Sequence, residues 1–573
     1  MTDLLHHPGL SLIVAGLILP FLPAALRYAA LLIAPLLTLA MVWTIGDGPQ
    51  ITTTYLGMEL IPLQGDALSR VFATIFAIMA FIGALFALRQ DRVFELAAAF
   101  IYAGGAVSVA FAGDLITLFI FWEIMAIAST IVVAMGPNAK GSSLRYAVIH
   151  FLGGVILMVG ITGQILQTGS TAFTAMEADN WATWAILAAF LINAGAPPLA
   201  AWLPDAYPAS SWSGMVFLSA FTTKTSVYTL IRGFPGEEVL IGFGLFMVFY
   251  GIIMALLEND MRRILAYSIV NQVGFMVTAV GIGTPLALDG AAAHAFAHII
   301  YKALLLMSAG SVLYATGRSK CTEVGGLYRY MPVSCICGII GALAISSLPL
   351  TSGFVSKSLI SSAAGDAHLF WVWMALTAAS AGVFFHAGIK FPWFVFFNRK
   401  DYLYLHEGTP KDPPWNMQAA MIIFSAACIG LGIWYQPLYE LLPNKAMVTH
   451  HGVTEQYTAM KAAKIVEQLQ LLFFSGLAFF LLLDWMKRTT TITLDVDWFW
   501  RGFPRVISGW FGLEWALAWD NFLDWVENTW KQLRDELTRT HGAEGTLART
   551  RPSGMTALWM TVILCAFLMF NFT

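Results

Sequence analysis

Residues 293–310 read AHAFAHIIYKALLLMSAG. The run is apolar enough for a membrane helix, yet His294, His298 and Lys302 recur in it at i, i+4 and i+8. That spacing stacks three titratable side chains on one helix face, each about 6 Å above the last. A charged group in hydrocarbon is expensive, so a stack of them demands a reason.

The rest of the chain is of the same kind. It is 58% hydrophobic and 11% charged over 573 residues, with a mean hydropathy of +0.71. Apolar runs of about 20 residues recur from end to end, as bilayer-spanning helices require. Barrel strands would alternate apolar and polar over about 10 residues, and these runs do not. The chain reads as an all-α polytopic membrane protein. The N-terminus, MTDLLHHPGL, has no Lys or Arg before its apolar run. It lacks the n-region of a cleaved signal peptide, so the first helix is expected to be retained. The net charge of −3 gives no sign of a nucleic-acid partner. The five cysteines form no CxxC pattern, and neither a metal nor a disulfide is expected. His6–His7 and His450–His451 sit in polar ends or loops and are expected to be solvated.

The runs give about 16 spans. The seventh (181–203) and twelfth (331–361) are expected to be broken, at Pro197-Pro198 and at LPLTSG, because proline removes a backbone donor and clashes with the preceding turn. A broken helix at membrane depth survives only inside protein or beside water. Alternate loops carry the cations, among them Arg27, Arg89, Arg92, Lys140 and Arg318, while the others carry Asp47, Glu59, Glu177, Glu237 and Asp366. Only one loop, with Lys445, Lys461 and Lys464, runs against the trend. By the positive-inside rule the cationic loops are cytoplasmic and both termini lie outside. Near the C-terminus, Trp515, Trp519, Phe522, Val526 and Trp530 recur every three or four residues. This predicts an amphipathic helix of about 30 residues and about 45 Å, suited to the membrane interface or a neighbour's flank. A small cytoplasmic helical cap is the other reading of that stretch.

Several ionisable residues fall inside predicted spans. They are Glu123 in FWEIMAIAST, Lys224 in FTTKTSVY, the His294–His298–Lys302 stack, and Lys357 in LTSGFVSKSLI. His386 and Lys390 in FFHAGIKFP are weaker candidates, near a cytoplasmic end where lysine can snorkel. Any single one could merely pair two helices. As a set, many buried cations with few acids is poor structural economy but good proton-carrying chemistry. Burial lowers a lysine's pKa and histidine titrates near neutrality, so such groups with bridging water can pass a proton stepwise. No phosphate loop, metal-ligand cluster, cofactor motif or nucleophile–base pattern appears, and no bond-making catalytic site is expected.

At these residues the sequence resembles the antiporter-like subunits shared by respiratory complex I and the Mrp-type multi-subunit sodium/proton antiporters. The motifs are FWEIMAIAS, WLPDAY, NDMRRILAYSIVNQVGF, AHAFAHIIYKALLLMSAG, GGLYRYMP and LPLTSGFVSKSLI, covering roughly residues 65–400. The tail, with LDVDWFWR, resembles that of the longest complex I antiporter-like subunit. The resemblance implies two five-helix inverted repeats with broken helices. It divides the chain into N-terminal helices (1–90), a first repeat (91–235), a second repeat (236–400), further spans (401–490), an amphipathic helix (491–554) and a final anchor (555–573). It casts Glu123 as the acidic residue of span 5, Lys224 as a span 8 lysine, His294, His298 and Lys302 as the span 11 connection, and Lys357 as the centre of broken span 12. One position departs from the pattern. The family's lysine five residues before the Pro of its PLxxWLP motif is here Asn193, and the histidine two residues after that Pro is here Ala200. Either a Glu123–Lys224 pair then takes over the first repeat's switch, or the first repeat is a scaffold and transport rests on Lys302 and Lys357.

The resemblance implies a proton-translocating subunit of a Na+/proton antiporter in the bacterial cytoplasmic membrane, closest to the Mrp D-type subunit, with other membrane subunits as partners. A pump module in a redox-driven complex I-like or hydrogenase-like assembly, a module for inorganic-carbon uptake, and a purely structural scaffold are the alternatives.

Overall fold

In lipid every backbone polar group must find its partner within the chain, so apolar runs of this length become helices. The computed structural model describes residues 6–55, 57–398, 409–450, 453–486, 495–501, 513–541 and 553–572. The chain opens with α1 (Pro8–Ile18) and α2 (Ala24–Val42), followed by a hairpin of β1 (Gly48–Tyr55) and β2 (Met58–Gly65). Next come α3 (Ala67–Phe86), α4 (Val93–Phe111), α5 (Leu115–Ala134) and α6 (Lys140–Thr168). The seventh span is α7 (Trp181–Ala194), an irregular stretch, and α8 (Trp202–Ala209). The eighth is α9 (Gly214–Leu218) and α10 (Thr222–Gly233).

The same order then recurs. It runs α11 (Val239–Leu257), α12 (Met261–Ile282), α13 (Pro285–Thr316), the broken pair α14 (Pro332–Ile345) and α15 (Ser352–Asp366), and α16 (Phe370–Val383). α16 continues as two π-helical segments, Phe384–Lys390 and Trp393–Phe397. After it come α17 (Trp415–Ile433), α18 (Gln436–Leu441), a hairpin of β3 (Met447–His450) and β4 (Val453–Gln456), and α19 (Ala462–Leu481).

Among the described residues eleven helices are long and apolar enough to span a membrane, against an expectation of about 16. The difference lies in the first, seventh, eighth and twelfth spans, which are short or split, and in the last, of which Gly554–Phe567 is the apolar stretch counted. The breaks in spans 7 and 12 stand where the prolines placed them. The break in span 8, between α9 and α10, was not expected, since no proline marks it. The two hairpins were also not foreseen.

Polar caps fix where helices begin. Asp114 accepts from Thr117 N, Asn180 from Ala182 N and Thr183 N, and Asp260 from Arg262 N and Arg263 N. Each satisfies donors that the first turn leaves without partners. α12 and α13 lie at the centre, with almost every residue buried. His7 corrects the solvated reading: it is buried, its Nδ1 accepts from Gly9 N at 3.2 Å and caps α1, and its Nε2 lies 3.2 Å from Pro62 O. His451 and the His450 side chain lie outside the described residues.

Residues 497–573 form a second compact unit. It contains α20 (Trp498–Arg501), α21 (Leu513–His541) and α22 (Ser553–Phe572). α21 has 29 residues, about 44 Å at 1.5 Å per residue, and Trp519, Phe522 and Trp530 on it are exposed. Trp515 lies outside the described side chains.

Close helix contacts rest on glycine. α1 meets α4 at Gly9 and Gly104, where a Cβ on either would stand 2.5 Å from the other's carbonyl oxygen. Gly104→Val should force α1 away from α4 at a cost of about 1–3 kcal/mol. The thermal unfolding midpoint of the purified protein should fall by several degrees, and an unchanged midpoint would show that the contact carries no packing energy.

Candidate functional site

Lys224, Lys302, His294 and His298 are 0% exposed and Lys357 is 6% exposed. Among the described residues no carboxylate pairs with any of them. That is the unusual fact about this interior, because a buried cation ordinarily has an acidic partner.

The break between α14 and α15 shows what takes the acid's place. A helix end leaves its last carbonyls without donors. Ser347 and Leu350 turn the chain with φ of 61° and 68°. Lys357, one turn into α15, reaches back and donates to Ile345 O at 2.8 Å, with its ammonium 4.9 Å above the Phe275 ring. Gln468 on α19 takes the next carbonyl, Ser346 O, at 3.1 Å. The first repeat repeats the device. Lys224, in the first turn of α10, donates to Ser219 O at 2.7 Å, the residue that ends α9, and to Thr223 Oγ1 at 3.1 Å. Each lysine thus answers the exposed carbonyl of the half-helix before it.

Lys357 borders a cavity of about 50 Å³, room for roughly three or four waters. Its walls include Phe275, Ser347, Ser361, Lys464, Glu467 and Gln468. Lys464 and Glu467 form an ion pair of 3.2 Å on α19. The sequence reading missed Glu467 and Gln468 and took Lys464 as a loop charge, because α19 lies outside the repeats. The available signal was polar residues at i, i+3 and i+4 on an otherwise apolar helix.

From Lys357 the polar groups continue inward. Its neighbour Ser356 lies 2.9 Å from His294 Nδ1, and His294 Nε2 lies 3.2 Å from Gln272 Oε1 on α12. Tyr301 donates to the same Gln272 oxygen at 3.1 Å. His294 and His298 have ring centroids 6.2 Å apart, and Tyr301 stands edge-on to His298 at 5.2 Å. Neither ring nitrogen of His298 and not the Lys302 ammonium has a hydrogen-bond partner. The single face read from the i, i+4, i+8 spacing is therefore present and fully buried. Such a series can hand on protons through bridging water, since each member holds or releases one at a nitrogen.

The other expected residues are placed differently. Glu123 is half-buried on α5 against Gly154 of α6, where a Cβ would stand on its Oε1, and that oxygen has no hydrogen-bond partner. The expected Glu123–Lys224 pair is not formed, because the α9 end satisfies the lysine. Lys390 does not snorkel. It is buried and donates to Ala255 O, Leu256 O and Glu258 O at 2.6, 2.9 and 2.7 Å, closing the C-terminal end of α11. His386 bonds to Gly382 O on its own helix at 2.9 Å. Asn193, at the end of α7, lies with its Oδ1 2.8 Å from His150 Nδ1. His150, alone in the apolar span α6, was not singled out in the sequence.

A family model described as NADH:quinone oxidoreductase/Mrp antiporter, transmembrane, matches residues 112–382. The D-type subunit of the Na(+)/H(+) antiporter of Alkalihalophilus pseudofirmus is 30% identical over 339 residues, covering 54% of this chain and 68% of that one. The chain belongs to this family. Some members are longer, and the chain spans 43% of a Mycobacterium tuberculosis relative that is 34% identical over 278 residues. Two solved structures share its fold. A chain of the membrane-bound sulfane sulfur reductase, an archaeal respiratory membrane complex, aligns with a TM-score of 0.70 at 21% identity, over 98% of this chain and 99% of that one. A chain of the Mrp complex from Dietzia sp. aligns with a TM-score of 0.64 at 19% identity, over 77% and 93%. Both belong to multi-subunit membrane complexes.

Two buried lysines differ in what they hold. Lys302→Met removes an amine that has no partner, so the protein's unfolding midpoint should hold or rise. Lys390→Met strips three carbonyls of their donor and should cost about 2–3 kcal/mol. Thermal unfolding of the two variants side by side checks both, and a large loss in Lys302→Met would show that this lysine holds the fold.

Proposed function

We propose that this chain is the proton-translocating membrane subunit of a multi-subunit monovalent cation/proton antiporter, with Na+ the exchanged cation. The observation that carries the reading is the lysine at a helix break beside a cavity, followed inward by a buried histidine and lysine series without acids. In this reading a proton moves between Lys302, His298 and His294, passes Ser356 to Lys357, and leaves through the water-sized cavity walled by Glu467. Glu123 and Lys224 serve the first repeat, and His386 stands at the side of the path. The repeats occupy residues 91–235 and 236–400, with further spans (401–490), an interfacial helix (491–554) and an anchor (555–573) beyond them. The cation-bearing loops face the cytoplasm, both termini face outward, and the membrane is the bacterial cytoplasmic one. The Alkalihalophilus relative, named for Na+/H+ exchange, supports the antiporter reading.

A second reading is favoured by one observation. The match that runs through the C-terminal tail, over 98% of this chain, is to a chain of a respiratory complex. The same proton path would there be driven by electron transfer in partner subunits. Na+-dependent proton movement in the absence of any electron donor distinguishes the two.

Lys357→Ala should assemble normally and lose about tenfold or more of proton transport, read with a ΔpH dye in everted vesicles. Wild-type rates in that variant would overturn the reading. Deleting residues from 495 onward should reduce co-purification of neighbouring subunits, because an exposed, Trp-rich amphipathic helix suits contact with lipid or a partner. Stoichiometric co-purification of the truncated chain would contradict that.

A further inference from the structure

The geometry points to His150 as the proton-carrying group of the first repeat, standing beside Asn193 where the family's lysine would be. This rests on the transport reading above and adds a residue to it.

Asn193 is not an isolated loss of charge. Its Oδ1 faces His150 Nδ1 at 2.8 Å, and both residues are buried. The ring is held from two more sides. Tyr146, one turn earlier on α6, lies with its ring centroid 4.1 Å away, and Trp202 from α8 stands edge-on at 4.6 Å. Tyr146 is itself fixed by donating to Ser129 Oγ at 3.0 Å. The Asn193 oxygen accepts from Nδ1–H, which leaves the Nε2 lone pair as the basic site. Nε2 is enclosed and has no hydrogen-bond partner.

His150 and Asn193 also wall a cavity of about 10 Å³ together with Trp122, Met125, Ala126 and Thr222. That is about the space of one water. Thr222 opens α10, its hydroxyl lies 2.5 Å from Tyr102 OH, and Lys224 lies in the same turn. On the other side Glu123 of α5 packs against Gly154, one turn beyond His150 on α6. The titratable groups on α6 and the elements around it are Tyr146, which touches the ring, Tyr207 of α8, which packs on Trp202, Tyr102, which meets Thr222, Lys224 of α10 and Glu123 of α5. The transfer balances: a proton arriving along bridging water is taken by the Nε2 lone pair, the ring becomes imidazolium, and release of that proton to the next water, which passes it on, restores the neutral ring. A histidine can carry a proton at this ring nitrogen, whereas asparagine cannot.

A histidine that only filled space would tolerate a neutral side chain of similar reach. His150→Gln keeps a donor for Asn193 but does not titrate. In the full complex, in everted vesicles, it should slow proton transport about tenfold or more, with partner subunits co-purifying as before. His150→Gln/Asn193→Lys, which returns a titratable amine to the site, should recover the rate to within about threefold of wild type. Wild-type rates in the single variant overturn the proposal, and so does a slowed single variant that the second change fails to recover. If His150→Gln does not assemble, Asn193→Leu is measured instead. It keeps the ring but removes its acceptor, so a rate at least about threefold lower is expected, and an unchanged rate overturns the proposal. Lys357→Ala separates the two levels. Full activity there overturns the transport reading, whereas an inactive Lys357→Ala beside a fully active His150→Gln overturns only this one.

Discussion

Among the described residues, Lys224, Lys302 and Lys357 are buried cations that no carboxylate pairs with, and the interior is organised around them. An ammonium at membrane depth needs acceptors, and a continuous α-helix offers none, since every carbonyl inside it is already used. Breaking the helix frees carbonyls. Lys357 takes one from the end of α14 and Lys224 one from the end of α9. The break and the charge thus need one another: the lysine quiets the exposed backbone, and the exposed backbone makes the lysine tolerable. A carbonyl is a weaker partner for an ammonium than a carboxylate is.

The two repeats use this arrangement unequally. The second has an unbroken central helix, α13, whose three titratable groups lead to Lys357. The first has a neutral Asn193 bonded to His150 at the corresponding helix break. The order of spans is the same in both, but the first repeat is broken twice, between α7 and α8 and between α9 and α10, and the second once, between α14 and α15. It matters that the first repeat's lysine sits one span later, at Lys224, where a second break between α9 and α10 accommodates it.

Much of this is legible in the sequence. Helical spacing placed His294, His298 and Lys302 on one face, and prolines marked the breaks near Asn193 and Lys357. What escaped the sequence depends on contacts between distant segments. No proline announces the break before Lys224. Glu467 and Gln468 lie 110 and 111 positions after Lys357, on a helix outside either repeat, and nothing local says that they wall its cavity. Lys390 sits where a snorkelling lysine would, and only the packing of α11 against the segment after α16 turns it inward. His150 is a single polar residue in an apolar run, which is usually a satisfied core group. Its importance comes from what stands opposite, Asn193, 43 residues away.

The π-helical stretch after α16 has a mechanical side. A π turn holds more residues than an α turn, so Phe384–Lys390 stores extra chain within a helix of unchanged path. Returning that stretch to α geometry would advance every later residue by about 100° for each one released. Lys390 is pegged to three carbonyls of another helix, so the slack does not slip while the peg holds. Lys390 thus fastens the register of this widened stretch to the end of α11.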